Sequence, residues 1–162
     1  MGTLHRFPMA VRTDLSTDIP RPADPVADSR FKTVFDNNKQ TLLQALSGAG
    51  ITHTLPCFNG NDRFRDIVSV EVRAGTDLID LPLISVNIIH LPPEPPAAPV
   101  STTFPLAKAI RILTFALLDQ AHDGWHRDYG AYGDVTIDVA AQQIHLVYNE
   151  RWMTSDRSEH RF

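Results

Sequence analysis

The chain has 162 residues and a formal net charge of −4, with 43% hydrophobic and 21% charged residues. These values are typical of one globular domain with a single hydrophobic core. Acidic and basic residues are interleaved, which argues against a sequence-independent grip on the phosphates of DNA or RNA. The longest uncharged run, residues 81–93, is far shorter than the roughly 20 apolar residues of a transmembrane helix. Neither a nucleic acid nor a membrane is therefore an expected partner.

Cysteine usage and the N-terminal residues favour a cytoplasmic protein. Cys57 is the single cysteine, which excludes an internal disulfide framework and fits a reducing compartment. The opening residues contain no apolar stretch of the kind found in signal peptides.

Residues 1–28 alternate proline, small residues and balanced charge without a helical or strand period, which predicts a flexible N-terminal arm. From Ser29 to Ala49, apolar residues recur every three to four positions. This spacing predicts a first helix that begins near Ser29 and ends at Gly48 or Gly50. Residues 29–162 are then a single domain.

Three strand patterns follow, at residues 51–58, 66–75 and 81–91. The second alternates valine with polar residues. The third is apolar on both faces, which predicts a central strand covered on two sides. Prolines in residues 92–105 predict an extended linker over the surface, with a Pro-rich peptide ligand as the functional alternative.

A second helix is predicted after this linker, with Thr102 or Thr103 as its cap and Gly124 at its end. Its apolar stripe is wide, which indicates a largely buried helix.

The last forty residues predict a hairpin, with residues 154–162 as a final edge strand. Pairing Val139 with Ile144 places the alternating apolar residues on one face and sets Asp138 opposite His145. The predicted fold is α+β: two helices packed on one face of a mainly antiparallel sheet of five or six strands, in the order α-β-β-β-α-β-β-β.

Residues 123–134, DGWHRDYGAYGD, combine three glycines with three aromatic rings. One interpretation is a tight corner, in which Gly124, Gly130 and Gly133 allow the turns and the rings cover the end of the core. The other is an exposed patch for a protein partner, because Trp, Tyr and Arg dominate binding hot spots. The candidate binding residues are Trp125, Arg127, Tyr129, Tyr132, Asn149 and Arg151.

Glu150 has the same strand phase as Leu146 and Tyr148, which places its carboxylate on the apolar side. Either the strand leaves the core there and Glu150 is solvated or ion-paired, or Glu150 and His160 act as acid and base in a small pocket.

His122 and His126 resemble the zinc motif H-E-x-x-H. Gly124 between them, and aspartate in place of glutamate, argue against that motif. We expect no metal and no cofactor.

Short motifs are spread over the C-terminal part of the chain: Gly124-Trp125, GAYG at 130–133, IDVA at 137–140, IHL at 144–146, YNER at 148–151 and EHRF at 159–162. With a looser match from Lys39 onward, the chain resembles an uncharacterised bacterial domain family that is often encoded on plasmids or other mobile elements. That family has no assigned activity, so the resemblance implies a fold unit and a genomic setting but no chemistry.

The expected function is a non-enzymatic protein-binding module of a bacterial mobile element, for example an inhibitor of a host defence complex in the manner of an anti-CRISPR protein. One alternative is a small hydrolase-type enzyme that uses Glu150 and His160. Another is a homodimeric scaffolding protein.

Overall fold

The structure is a computed structural model that describes residues 25–92, 98–153 and Glu159. Its elements are helix α1 (Pro25–Gly48), strands β1 (His53–Asn61), β2 (Phe64–Ala74), β3 (Asp77–Leu78), β4 (Ser85–His90) and β5 (Val100–Pro105), helix α2 (Leu106–Ala121), and strands β6 (Ala131–Asp138) and β7 (Gln143–Glu150). The predicted α+β class is confirmed. In this part of the chain, no helix has both the length and the apolar character to span a membrane.

Five strands form one antiparallel sheet in the order β3-β2-β1-β6-β7, and β4 and β5 form a separate hairpin. Alternate residues of the central strand β1, from Thr54 to Gly60, are buried. The core lies between this face of the sheet, the two helices and the β4–β5 hairpin. Its most deeply buried apolar members are Leu42, Leu46, Phe58, Ile88, Leu106, Ala109, Ile110, Leu118, Ala131, Val135 and Ile137.

The third predicted strand is not a central strand of the main sheet. β4 pairs with β5, and its residues alternate, with Val86 and Ile88 buried and Ser85 and Asn87 exposed. Helix α1 packs against it. The prediction was wrong because an apolar run shows how much a strand can bury but does not identify the neighbours that bury it.

Asn38 connects α1 to β4 through a pair of hydrogen bonds. Its Nδ2 donates to the Ile89 carbonyl oxygen at 2.7 Å, and its Oδ1 accepts from the Ile89 amide at 2.8 Å. The Asn38 side chain is buried, at 7% exposure. It thus satisfies both backbone groups of Ile89 as a neighbouring strand would.

Residues 100–105, predicted as the end of a linker, form β5 instead. Valine and threonine at positions 100, 102 and 103 favour extended backbone, and Pro105 stands at the last position of the strand, where it interrupts little of the ladder. The predicted cap at Thr102 or Thr103 is wrong because both residues pair with β4. α2 has Pro105 as its N-cap, without a side-chain cap hydrogen bond. Residues 93–97 of the predicted linker lie outside the described residues.

Helix α1 begins inside the predicted N-terminal arm, at Pro25. Proline suits the first turn of a helix because the amide hydrogen that it lacks would have no helical partner there. The arm assignment is therefore wrong for residues 25–28, and residues 1–24 lie outside the described part. The final edge strand was predicted in residues 154–162; of these the structure describes Glu159, which is in neither a helix nor a strand.

The C-terminal hairpin forms, but its register differs by two residues from the predicted one. Ile137 pairs with Ile144, and Val135 pairs with Leu146, whereas the prediction paired Val139 with Ile144. Because side chains alternate with a period of two, this shift leaves the same apolar residues on the helix side.

Asp138 stabilises the turn and does not face His145. Its Oδ1 accepts a hydrogen bond from the Ala141 amide at 2.9 Å, and its Oδ2 lies 3.5 Å from Nε2 of His53 on β1. His145 lies opposite Thr136. The predicted Asp138–His145 pair is therefore wrong.

Charged side chains join α2 to β2 around the Phe115 ring. The guanidinium carbons of Arg65 and Arg111 lie 5.0 and 4.9 Å from the ring centroid. Arg65 pairs with Asp119 at 3.3 Å. The hydrogen bond from Arg111 holds the pKa of the Asp66 carboxyl below its usual value of 3.8. These contacts fix the end of α2 from which the candidate site begins.

Candidate functional site

An open cleft of about 790 Å³ lies where the end of α2, the loop after it and the end of β7 meet. It is lined by residues 122–125 and 127–130 of the loop and by Tyr148 and residues 150–153, and we call it the α2–β7 cleft. Its volume is in the range of small-molecule sites.

The loop after α2 turns at glycines and packs directly on β1. Gly124 and Gly130 have φ values of +70° and +69°, in the left-handed region. A Cβ atom on Gly130 would lie only 2.0 Å from the Gly60 carbonyl oxygen. Left-handed backbone and this close approach both favour glycine, and together they give the corner that the sequence suggested.

Trp125 forms the buried base of the cleft. Its side chain is 3% exposed. The ring stacks on Phe115 with centroids 6.0 Å apart and meets Phe58 edge-on at 5.5 Å. Its Nε1 donates to Oδ1 of Asp119 at 3.0 Å. Trp125 is therefore a core residue with its polar atom satisfied.

Three large side chains remain exposed at the rim of the cleft. Tyr129 is 48% exposed, Trp152 77% and Met153 68%. The Tyr129 hydroxyl donates to the Met153 sulfur at 3.8 Å, so two of these side chains are in contact. Clustered apolar surface of this kind is typical of interaction sites.

His122, Tyr148 and Glu150 form one wall of the cleft. The rings of His122 and Tyr148 stack with centroids 3.7 Å apart and planes 5° apart. Burial and then the charge of Glu150 raise the pKa of the Tyr148 hydroxyl above its usual value of 10.0. Glu150 itself is exposed. It lies at the end of the strand, on the cleft.

The charged side chains of the cleft are predominantly acidic. Asp123, Asp128 and Glu150 are exposed carboxylates, and Arg127 is an exposed guanidinium. Within residues 25–92 and 98–153, none of these four groups belongs to an ion pair. Their charges are thus available to a partner.

Arg151 also contributes to the lining of the cleft, but its guanidinium is used within the fold. Nη1 donates to the Gly60 carbonyl at 2.9 Å, and Nη2 donates to Oδ1 of Asn59 at 2.7 Å. The guanidinium carbon lies 4.7 Å from the Tyr132 ring centroid. Arg151 therefore ties β6 and β7 to β1 on the face of the sheet opposite the helices.

Residues 34–162 match a family of unknown function, DUF6878. The chain belongs to DUF6878. No curated protein and no solved structure matches it. The expected membership in a family of unknown function is thus confirmed. The DUF6878 region contains every strand that the structure describes, helix α2 and the whole α2–β7 cleft.

Four of the six candidate binding residues line the cleft of this DUF6878 chain, namely Trp125, Arg127, Tyr129 and Arg151. Tyr132 and Asn149 lie opposite each other on β6 and β7. Their side chains belong to the sheet face away from the helices, and Asn149 Nδ2 donates to the Tyr132 carbonyl at 3.4 Å. The second catalytic candidate, His160, lies outside the described residues.

Several cleft residues of this DUF6878 chain were not predicted from the sequence. Trp152 and Met153 follow directly after the alternating pattern of β7, where a strand leaves the core. Large apolar residues at such a position indicate exposure, and this signal was present in the sequence. Asp123 and Asp128 carried no comparable signal, because acidic residues in loops are common and solvated.

The histidines of the HDGWH segment face different surroundings. His122 stacks on Tyr148, whereas His126 meets the Trp125 ring edge-on with centroids 5.6 Å apart, and its buried Nδ1 has no hydrogen-bond partner among the residues that the structure describes. In the described part of the DUF6878 chain, no group of three or more His, Cys, Asp and Glu side chains is arranged to hold a metal ion.

Proposed function

We propose that this chain is a non-enzymatic protein-binding module whose α2–β7 cleft receives a basic segment of a partner protein. The observation that carries the proposal is an open cleft with an exposed rim of Tyr129, Trp152 and Met153 and with exposed carboxylates that form no ion pair among the described residues. An inhibitor of a host defence complex encoded by a mobile element would act through a contact of this type.

The rim supports binding because large exposed rings are costly to hydrate and yield free energy when covered. Trp152 leaves about three-quarters of its surface in solvent. Tryptophan and tyrosine are enriched among the residues that dominate interface energetics. Their faces also attract arginine and lysine side chains through cation–π contacts.

The charge of the cleft supports a basic partner. Among the described lining residues there are three exposed carboxylates and two arginines, and the guanidinium of Arg151 is bound to β1 whereas Arg127 is exposed. The whole chain has a formal charge of −4, so its long-range electrostatic field is negative, like the charge of the exposed carboxylates in the cleft. Complementary charge raises association rates and selects among partners.

Binding of labelled peptides tests this proposal. We expect an arginine-rich peptide that contains tyrosine to raise fluorescence anisotropy on adding the full chain, and a glutamate-rich peptide of equal length to give no change. Trp152→Ala should weaken the binding at least about tenfold, equivalent to about 1.4 kcal/mol. Glu150→Gln should weaken it less and should reduce its dependence on salt.

Phe31→Ala is the matched control, because Phe31 is an aromatic residue of α1 that is 62% exposed and does not line the cleft. It should bind the peptide as the unaltered chain does. Equal binding of the acidic and basic peptides, or undiminished binding by Trp152→Ala, would refute the proposal.

A further inference from the structure

We propose that the free edge of β7 pairs with β7 of a second copy of this chain, joining two five-stranded sheets into one continuous antiparallel sheet. This inference concerns the edge of β7, whose Tyr148 also lines the α2–β7 cleft, and it does not depend on the proposed function.

Within the described part of the chain, β7 is the long open edge of the main sheet. It stands last in the strand order and has eight residues, whereas the opposite edge, β3, has two. Among the described strands β7 pairs with β6 alone. A strand of this length at an edge offers a row of unpaired backbone groups to another chain.

β7 carries none of the usual protections of an edge strand. Its sequence, QIHLVYNE, contains no proline and no lysine, and its single formal charge is Glu150 at the end. The register with β6 runs without a bulge from Gln143 to Glu150. Natural edge strands that stay unpaired commonly use a charge, a proline or a bulge to prevent pairing.

The backbone hydrogen bonds of the hairpin show which groups are free. The Arg151 amide donates to the Gly130 carbonyl, which continues the β6–β7 ladder. Bonding alternates along an antiparallel strand, so odd-numbered residues of β7 bond to β6. The amide and carbonyl groups of Ile144, Leu146 and Tyr148 are therefore directed away from the sheet.

Antiparallel pairing centred on Leu146 places residues of the same sheet face opposite one another in the two copies. Leu146 lies opposite its equivalent, and Ile144 of one copy lies opposite Tyr148 of the other. On the other face, His145 of one copy lies opposite Val147 of the other. No like charges meet, and the side chains alternate consistently across the new pair.

The incomplete burial of the β7 side chains in the single chain favours the same pairing. Ile144, Leu146 and Tyr148 pack against the core, but each remains only half-buried. Every residue of β7 keeps some exposure, in contrast to β1 and β6. A second β7 would extend the sheet past these side chains and cover their exposed edges.

Two double variants test the pairing, because His145 and Val147 are exposed and lie opposite each other across the proposed interface. His145→Lys with Val147→Lys brings like charges together, and His145→Glu with Val147→Lys brings opposite charges together. Because a two-fold axis relates the two copies, each of these charge contacts occurs twice in the dimer. We therefore expect the dimer dissociation constant to be at least about tenfold higher for the first variant.

Sedimentation over a range of concentrations gives the mass of the full chain and of both variants. The unaltered chain and the opposite-charge variant should reach twice the 18.1 kDa of one chain, and the like-charge variant should remain at 18.1 kDa longest. Circular dichroism checks that both variants are folded. A full chain that stays monomeric up to its solubility limit overturns the proposal, as do two variants with the same association.

Amide hydrogen exchange tests the register independently. Exchange at Ile144, Leu146 and Tyr148 should slow as the chain concentration rises, while His145 and Val147 amides, which already bond to β6, should not change. Dimerisation without this alternation would place the contact on another surface.

Discussion

Replacing Gly130 by alanine tests whether the loop after α2 is packed directly on β1. Gly130 has a φ of +69°, and an added Cβ would lie 2.0 Å from the Gly60 carbonyl oxygen. Carbon and oxygen atoms approach to about 3.3 Å, so the two segments must separate. Separation breaks the hydrogen bonds from Arg151 to the Gly130 and Gly60 carbonyls, each 2.9 Å long.

The expected loss of stability is the sum of a conformational cost and the lost contacts. A residue with a Cβ in the left-handed region costs about 1–2 kcal/mol, and each hydrogen bond contributes about 1 kcal/mol. The free energy of unfolding should fall by about 3–4 kcal/mol. At about 2–4 °C per kcal/mol for a chain of this size, Tm falls by roughly 10 °C.

Gly50→Ala is the matched control for this experiment. Gly50 has a φ of +75°, but an added Cβ meets nothing within 4 Å. Its substitution carries the conformational cost alone, about 1–2 kcal/mol. Thermal unfolding followed by circular dichroism compares the two variants at one concentration. Equal decreases in Tm would refute the close packing of Gly130 on β1.

Two further predictions concern buried polar contacts and alkaline pH. Asn38→Ala leaves both backbone groups of Ile89 without their partner and should lower the free energy of unfolding by about 2–4 kcal/mol in urea titration, whereas alanine at the exposed neighbour Asn37 should have little effect. The raised pKa of Tyr148 means that the folded chain holds this proton more tightly, so stability should fall as the pH rises above 10.0. Glu150→Gln removes the negative charge that contributes to the raised pKa and should therefore lower the Tyr148 pKa. An NMR titration that finds this pKa unchanged would contradict the proximity of Glu150 and Tyr148.

Both helices, β1, β2, β4 and the C-terminal hairpin could be predicted because each shows its own period, whereas β5 was predicted as part of a linker and the order of elements therefore differs from α-β-β-β-α-β-β-β. Valines on alternate positions of β2 and the apolar stripe of α2 have strand and helix spacing regardless of their neighbours. Sheet membership could not be predicted in the same way. The apolar run of β4 fits a main-sheet strand and a separate hairpin equally well, and the choice depends on contacts distant in sequence, such as those of β4 with β5 and of Ile89 with Asn38, 51 positions away.

The register of the C-terminal hairpin shows a different limit. Pairing Val139 or Ile137 with Ile144 places the same residues on the helix side, so the apolar pattern does not distinguish the two registers. The turn decides between them. Asp138 accepts a hydrogen bond from the Ala141 amide, and Gln142 adopts a φ of +54°. These local turn preferences give a weaker signal in the sequence than the alternation of apolar and polar residues in the strands.

The place of the candidate site was predictable from the rings and glycines of residues 123–134. The roles of individual rings were not, because exposure depends on neighbours from other elements. Trp125 enters the core against Phe58 and Phe115, while Tyr129 stays half-exposed. Trp125 therefore has the core position of the corner interpretation, whereas Tyr129 has the exposure that the proposed partner site requires.

The acidic character of the cleft follows from strand alternation at the end of β7. In sequence, Glu150 and Arg151 are adjacent and their charges balance. Successive side chains of a strand point to opposite faces, so the carboxylate of Glu150 meets the cleft while the guanidinium of Arg151 reaches Asn59 and Tyr132 on the other side of the sheet. The carboxylate of Glu150 is thus exposed on the surface that we propose a basic partner contacts, whereas Arg151 lines the same cleft with its guanidinium bound to Gly60 and Asn59.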